Sequence, residues 1–221
     1  MKSYFVTGTD TAVGKTLISC ALLHGFAAQG ARVVGMKPVA AGCDEDVQHE
    51  DVRQLRAAGN VQASAGQINP YCFMQVVAPH LAAQFVGVSI NFERILESYA
   101  ELAAQADVVI VEGAGGFRVP LNATQDSADL AEQLGLPVIL VVGMRLGCLN
   151  HALLTAEAIT SYGLTLAGWV ANCVDENMAM REANIAALQQ RIGAPLLGVV
   201  PYRAQPDARE AAKHLDLKLL G

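Results

Sequence analysis

The stretch Gly8-Thr9-Asp10-Thr11-Ala12-Val13-Gly14-Lys15-Thr16 limits this chain more than any other. It follows the β-rich run Ser3–Thr7 and opens into the apolar, helix-compatible segment Leu17 to Ala28. That is the strand–loop–helix setting of a phosphate-binding loop. Gly14 lets backbone N–H groups close around phosphate oxygens, and Lys15 can reach the β- and γ-phosphates. Thr16 offers a hydroxyl to Mg²⁺, while the helix N-terminus adds positive potential. The consensus places its first glycine at position 9, where this chain has Thr9 after Gly8, so the loop is a variant. A glycine-rich turn that merely joins strand to helix gives no reason for Gly-Lys-Thr at the helix start.

A chain of 221 residues suits one domain spanning 1–221. Hydrophobic residues make up 52% and charged residues only 16%, a balance that suits strands buried on both faces. The net charge of −6 disfavours a nucleic-acid surface. The five cysteines, Cys20, Cys43, Cys72, Cys148 and Cys173, are scattered and lack a C-x-x-C pair, so they read as reduced thiols. No apolar signal core or membrane-length run stands out, and the expectation is a cytoplasmic protein.

Strand-like runs at Ser3–Thr7, Arg32–Lys37, Asp107–Glu112, Val138–Gly143, Thr165–Asn172 and Leu196–Pro201 alternate with amphipathic segments. Helices are expected at Lys15–Gln29, Val47–Ala58, Pro79–Phe85, Phe92–Gln105, Ser127–Leu134, His151–Tyr162, Met178–Ile192 and Asp207–His214. Asn60 to Val77 has no clear period and reads as a surface passage. This alternation predicts a three-layer α/β fold of P-loop NTPase type: a mostly parallel central sheet, helices on both faces, and ligands at the carboxyl ends of the strands.

The strand ends carry the chemistry. Lys37-Pro38 closes the second strand before the small-residue loop Val39–Gly42, where a lysine can meet an anionic substrate or a transferring phosphoryl group. Asp51 is either a helix N-terminal charge or a metal ligand. Glu112 ends the apolar run Val108–Val111 and leads into Gly113-Ala114-Gly115-Gly116, as the acid of a Walker B strand does. Asn172 offers a donor and an acceptor to an adenine edge, and Pro201-Tyr202 could wall the base. Asn150 suits an N-cap. The five histidines show no metal-binding spacing.

Taken together these residues resemble the dethiobiotin synthetase family. The carriers are Gly8-Thr9-Asp10-Thr11 with Val13-Gly14-Lys15-Thr16, Lys37-Pro38-Val39, Glu112-Gly113-Ala114-Gly115-Gly116, Pro137–Val141, Leu146-Gly147-Cys148 with Asn150-His151, and Gly168-Trp169-Val170-Ala171-Asn172. The resemblance covers almost the whole chain and implies ATP-dependent carboxylation and ring closure. The substrates would be 7,8-diaminononanoate (7,8-diaminopelargonate) and CO₂, and the products dethiobiotin, ADP and phosphate. It implies Mg²⁺ on Thr16, Asp51 and Glu112, and phosphates wrapped by Val13, Gly14, Lys15, Thr16 and Leu17. Thr11, Lys37 and Ala41 would face the diamine or its carbamate, with Lys15, Lys37 and Thr11 acting in catalysis. Glu112, Gly113, Ala114 and Gly115 would line the phosphate side, while Asn172, Cys173, Pro201, Tyr202 and Arg203 would meet adenine. A homodimer is implied, in which Gly147, Cys148, Leu149 and Asn150 reach the partner's substrate, and neither nucleic acid nor membrane is a partner.

Three positions depart from that pattern. Ala12 stands where relatives often carry an acid, Ala41 where they often carry serine, and Cys173 where aspartate commonly follows the asparagine. Two rival readings fit less well. A P-loop partition switch carries a signature lysine where this chain has Asp10, and a cobyrinate-type amidating ligase needs a glutaminase domain for which there is no nucleophile motif.

Overall fold

Val108–Glu112 and Val138–Gly143 are buried at every position, because each strand lies inside a sheet covered on both faces. The computed structural model describes residues 2–44 and 48–221. Strands β1 (Lys2–Gly8), β2 (Val33–Met36), β5 (Val108–Glu112), β6 (Val138–Gly143), β7 (Leu166–Asn172) and β8 (Leu196–Val200) form one sheet in the order β2-β5-β1-β6-β7-β8. All five neighbouring pairs are parallel. Two further short strands, β3 (Val39–Ala41) and β4 (Tyr71–Phe73), pair parallel beside it. The helices are α1 (Lys15–Ala28), α2 (Glu50–Ala58), α3 (Ala65–Ile68), α4 (Pro79–Phe85), α5 (Phe92–Ala103), α6 (Ser127–Leu134), α7 (Cys148–Ser161), α8 (Arg181–Gln189) and α9 (Ala208–Ala212), followed by a 3-10 turn at Leu217–Leu220.

Side-chain alternation along the strands divides the core in two. Phe5, Val109, Val111 and Trp169 pack on one face with Ile95, Leu102, Leu130, Ile159 and Leu188 from α5, α6, α7 and α8. Tyr4, Val6, Ile110 and Val170 pack on the other with Ile18, Leu22, Leu23, Leu55 and Ala211 from α1, α2 and α9. Among the described residues no helix is long and apolar enough to cross a membrane.

Register sets the site. β1 pairs Val6 with Glu112 on one side and Gly8 with Val141 on the other, so the first loop starts between two buried strand ends. Gly14 caps α1 in the left-handed region at φ 87°. A Cβ there would come within 2.1 Å of the Asn172 side chain, which reserves the position for glycine.

Several expected boundaries move. Val39–Ala41 is a strand rather than a loop, and the passage Asn60 to Val77 contains α3 and β4. These pieces are too short to leave a periodic signal. α2 begins at Glu50 because the His49 imidazole accepts from the Asp51 N–H, while Val47 lies outside the described residues. α7 begins at Cys148 with Gly147 at its N-cap, three residues before the expected start, so Asn150 lies inside the helix.

The expectation of five reduced thiols is corrected: Cys43 and Cys72 form a disulfide across 29 residues. The β3–β4 pairing sets Ala40 opposite Cys72, and the Cys43 N–H donates to the Phe73 carbonyl, which brings the two sulfurs together. Spacing alone could not reveal a contact created by that pairing. Cys20, Cys148 and Cys173 are free and buried.

Candidate active site

Six strand ends deliver the functional side chains to one edge of the sheet. Lys37 follows β2, and its ammonium is buried between two carboxylates, 2.6 Å from Glu112 Oε1 and 2.9 Å from Asp51 Oδ2. Thr16 Oγ1 donates to the same Glu112 Oε1 at 2.8 Å. Glu112 Oε2 is buried without a hydrogen-bond partner. One oxygen of this acid is therefore doubly engaged while the other is left open for a cation.

The electrostatics follow from this packing. Burial alone would lower the Lys37 pKa, but Glu112 and Asp51 outweigh it and raise it, so the ammonium holds its proton. Burial likewise works against the Asp51 carboxylate, and Lys37 overrides it to hold the pKa below the ordinary value. Among the described residues Lys15 forms no ion pair with a carboxylate. Burial, with repulsion from Lys37, lowers it to about 8, and its ammonium donates to the Asp10 carbonyl at 2.9 Å. A nucleotide phosphate would give Lys15 the counter-charge it lacks.

Thr16, Asp51 and Glu112 together suit Mg²⁺, a hard cation that takes oxygen ligands and keeps several waters and phosphate oxygens. Among the described residues no group of three or more His, Cys, Asp or Glu forms a protein-only metal cage.

Two cavities flank this centre. One of about 230 Å³ is lined by Gly14, Leu17, Asn172, Cys173 and Pro201 to Arg203. Asn172 is buried and its amide donates to the Val13 carbonyl at 2.8 Å, which ties the end of β7 to the phosphate loop and leaves the side-chain oxygen as an acceptor. The other cavity, of about 560 Å³, holds Thr11, Lys37, Ala41, Asp51, Ala114 and Gly115. The smaller cavity thus holds the residues expected at adenine with Gly14 and Leu17, and the larger one holds Thr11, Lys37 and Ala41 with Ala114 and Gly115.

Gly147, Cys148, Leu149 and Asn150 line neither of these cavities. They open α7 beside Leu146, which is 97% exposed: Gly147 and Asn150 are exposed as well, Leu149 is half-buried against the core, and Cys148 is buried in it. Sequence reasoning also missed four contributors. His49 caps α2 and lines the larger cavity, whose far wall is Val76 to Pro79. Asp207 and His214 line the smaller one. Arg145, at the end of β6, pairs with Asp10 of the phosphate loop. The short apolar run Tyr71-Cys72-Phe73 was the one local sign of the wall that follows it.

Known proteins resemble this chain in sequence and in fold. A family model described as an AAA domain matches residues 2–210. The ATP-dependent dethiobiotin synthetase BioD of Nitrosospira multiformis is 55% identical over 220 residues, covering 100% of this chain and 97% of the relative. The protein of the same name from Aromatoleum aromaticum is 54% identical, covering 98% and 97%. Among solved structures, the MinC:MinD cell division protein complex of Aquifex aeolicus aligns with a TM-score of 0.57 at 11% identity, over 96% of this chain and 94% of that one. The septum site-determining protein MinD of Pyrococcus horikoshii, complexed with Mg-ADP, aligns at 0.51 and 17% identity, over 96% and 84%. At such identities these two share the P-loop NTPase fold alone. Matched along nearly its whole length by a family model and by curated relatives more than half identical to it, the chain belongs to the ATP-dependent dethiobiotin synthetase family.

Proposed function

We propose that this protein is an ATP-dependent ligase that carboxylates 7,8-diaminononanoate and closes the ureido ring to give dethiobiotin, ADP and phosphate, in biotin biosynthesis. The observation that carries the reading is the buried Lys37 ammonium, held by Glu112 and Asp51 and lining the larger cavity beside the phosphate loop. Full-length relatives named for this activity support the reaction class.

In this reading one amine of the diamine adds CO₂ and loses a proton to give a carbamate anion. The carbamate oxygen then takes the γ-phosphoryl group of ATP, and the second amine attacks the carbonyl carbon and expels phosphate. A carbamate is a poor electrophile until its oxygen becomes part of a phosphate leaving group. Two anions must approach for that transfer, so cations between them lower the barrier. Lys37 supplies one such cation at the larger cavity, and Lys15 supplies another once it exchanges the Asp10 carbonyl for phosphate. Thr11 orients the carbamate from the same cavity wall. Mg²⁺, held by Thr16, Asp51 and Glu112, would neutralise phosphate charge when bound. Asn172, Cys173, Pro201, Tyr202 and Arg203 take the adenine, Gly14 and Leu17 complete the phosphate and base surfaces, and Val13 contributes its backbone to the phosphate loop.

The whole reaction falls to one domain spanning 1–221. A homodimer completes the site, with Gly147 to Asn150 of each copy serving the other's diamine. The exposure of Leu146, Gly147 and Asn150 supports this, as do the exposed apolar residues Val76 at the larger cavity, Leu81 and Phe85 on α4, and Leu154 on α7. Consumption of ATP fits a cytoplasmic protein. The test is ¹³C NMR with labelled bicarbonate and diamine before ATP is added. A carbamate signal that needs both the protein and the diamine supports the reading, and its absence at saturating diamine counts against a carbamate-first order.

A further inference from the structure

The Cys43–Cys72 disulfide joins two segments, each of which contributes residues to the lining of the larger cavity. Cys43 follows Ala41 and Gly42 at the end of β3, and the chain beyond it leads to the His49 cap and Asp51. Cys72 is central in β4, and the chain beyond it leads into Val76, Val77 and Pro79, which also line the cavity. Besides this bond the two segments are held by a pair of three-residue parallel strands and by the Gly42 and Cys43 N–H groups donating to the Phe73 carbonyl at 2.8 and 2.9 Å. They are held also by the Tyr71 N–H donating to the Pro38 carbonyl, by the Asn69 amide donating to the Lys37 and Tyr71 carbonyls, and by the burial of Val39, Tyr71 and Phe73 in the core. The parallel ladder is short, and the covalent link adds to these weaker ties one that does not open while it is oxidised.

The pair is also reachable. Cys43 is buried, but Cys72 is half-buried and lines a surface groove of about 360 Å³ that includes Arg94. The Arg94 guanidinium lies over the Tyr71 ring in the same groove, 4.8 Å from its centre. Cys20, Cys148 and Cys173 are buried elsewhere and unpaired, so this disulfide does not belong to a stabilising framework. In a compartment that supplies ATP and is kept reducing by small thiols, such a bond persists as part of a redox cycle.

We propose that Cys43 and Cys72 form a reversible thiol–disulfide site through which low-molecular-weight thiols and disulfides of the glutathione class set the diamine affinity. This rests on the larger cavity being the diamine site. In the reducing direction a small thiolate attacks Cys72 Sγ and the Sγ–Sγ bond breaks. Cys43 leaves as a thiolate and takes a proton from solvent. A second small thiolate then attacks the sulfur of its predecessor and releases Cys72 as a thiolate, which also takes up a proton. In sum, one protein disulfide and two small thiols become two protein thiols and one small disulfide, and oxidation reverses every step. The oxidised form holds the walls in register, and the reduced form must order them when diamine binds.

The protein is equilibrated in reduced and oxidised glutathione buffers, alkylated without denaturation, and weighed intact. The expected result is interconversion at Cys43 and Cys72 alone, with Cys20, Cys148 and Cys173 unlabelled. Reduction is expected to raise the diamine KM by roughly three- to tenfold, the effect of leaving a wall to be ordered on binding, with the ATP KM unchanged. The Cys43→Ser/Cys72→Ser variant is expected to show the reduced form's KM in every buffer. An equal diamine KM in both states would overturn the proposal, as would a pair that never changes state across the buffers. Hydrogen exchange separates this outcome from failure of the proposed reaction. If neither state turns over diamine, faster exchange confined to residues 39–44 and 71–79 on reduction still supports a redox-controlled wall, and unchanged exchange there rejects it.

Discussion

Replacing Lys37 by methionine keeps most of the side-chain volume and removes one charge from a buried cluster. Its ammonium lies 2.6 Å from Glu112, which is fully buried, and 2.9 Å from Asp51, whose side chain is 27% exposed. Asp51 can turn to solvent for compensation, so the cost falls mainly on Glu112. Breaking a buried pair by deleting one partner costs about 3–5 kcal/mol. The hydroxyl of Thr16 still donates to Glu112, which places the expected loss near the lower figure of ~3 kcal/mol. At about 2–4 °C per kcal/mol for a chain of this size, Tm falls by roughly 6–12 °C. Thermal unfolding at neutral pH reads this, and the Lys37→Met/Glu112→Gln double variant closes the cycle. With no buried charge left unpaired it is expected to regain about 2 kcal/mol of the loss. Diamine-dependent ADP release falls at least about a hundredfold in Lys37→Met while ATP still binds, because Lys15 and the phosphate loop are untouched. A Tm within the error of the parent, or unchanged diamine kinetics, would refute the assignment of Lys37 as the buried cation of the site.

Other outcomes follow from the same geometry. Lys15 is held near 8 in the free protein, so its protonated fraction falls about tenfold from pH 7 to pH 9, and ATP affinity should weaken by about that factor as pH rises; titration calorimetry at the two values checks it. The Lys15→Ala variant should lose phosphoryl transfer and, with it, this pH dependence of ATP binding. Asn172→Ala removes the 2.8 Å bond to the Val13 carbonyl and one edge of the smaller cavity; the ATP KM should rise about five- to thirtyfold with the diamine KM unchanged. Ala41→Ser places a hydroxyl in the larger cavity where an anionic carbamate would lie, and kcat/KM for diamine should rise up to about tenfold, whereas no change would mean that another donor already serves there.

The parts of the molecule legible in the sequence are those whose physics is local. A five-residue buried run such as Val108–Glu112 declares both its strand and the acid at its end. Gly14-Lys15-Thr16 declares a helix start over a phosphate. Lys37 was placed at its strand end, but the sequence could not show that its charge is shared by Glu112 and Asp51, since that depends on β2 and β5 being neighbours. The same holds for Arg145 and Asp10, which are 135 residues apart. β3 and β4 stayed hidden because three residues carry no period, and the Cys43–Cys72 bond was lost with them. Gly147 displaced Asn150 as the cap of α7 because its left-handed backbone turns the chain from β6 into the helix three residues early.

The central claim is tested most directly by measuring ADP release from the purified protein with MgATP and bicarbonate, with and without 7,8-diaminononanoate, while mass spectrometry follows dethiobiotin. The account predicts ADP that depends on the diamine and matches the product mole for mole. ADP release that ignores the diamine, or tight ATP binding with no dethiobiotin formed, would contradict it.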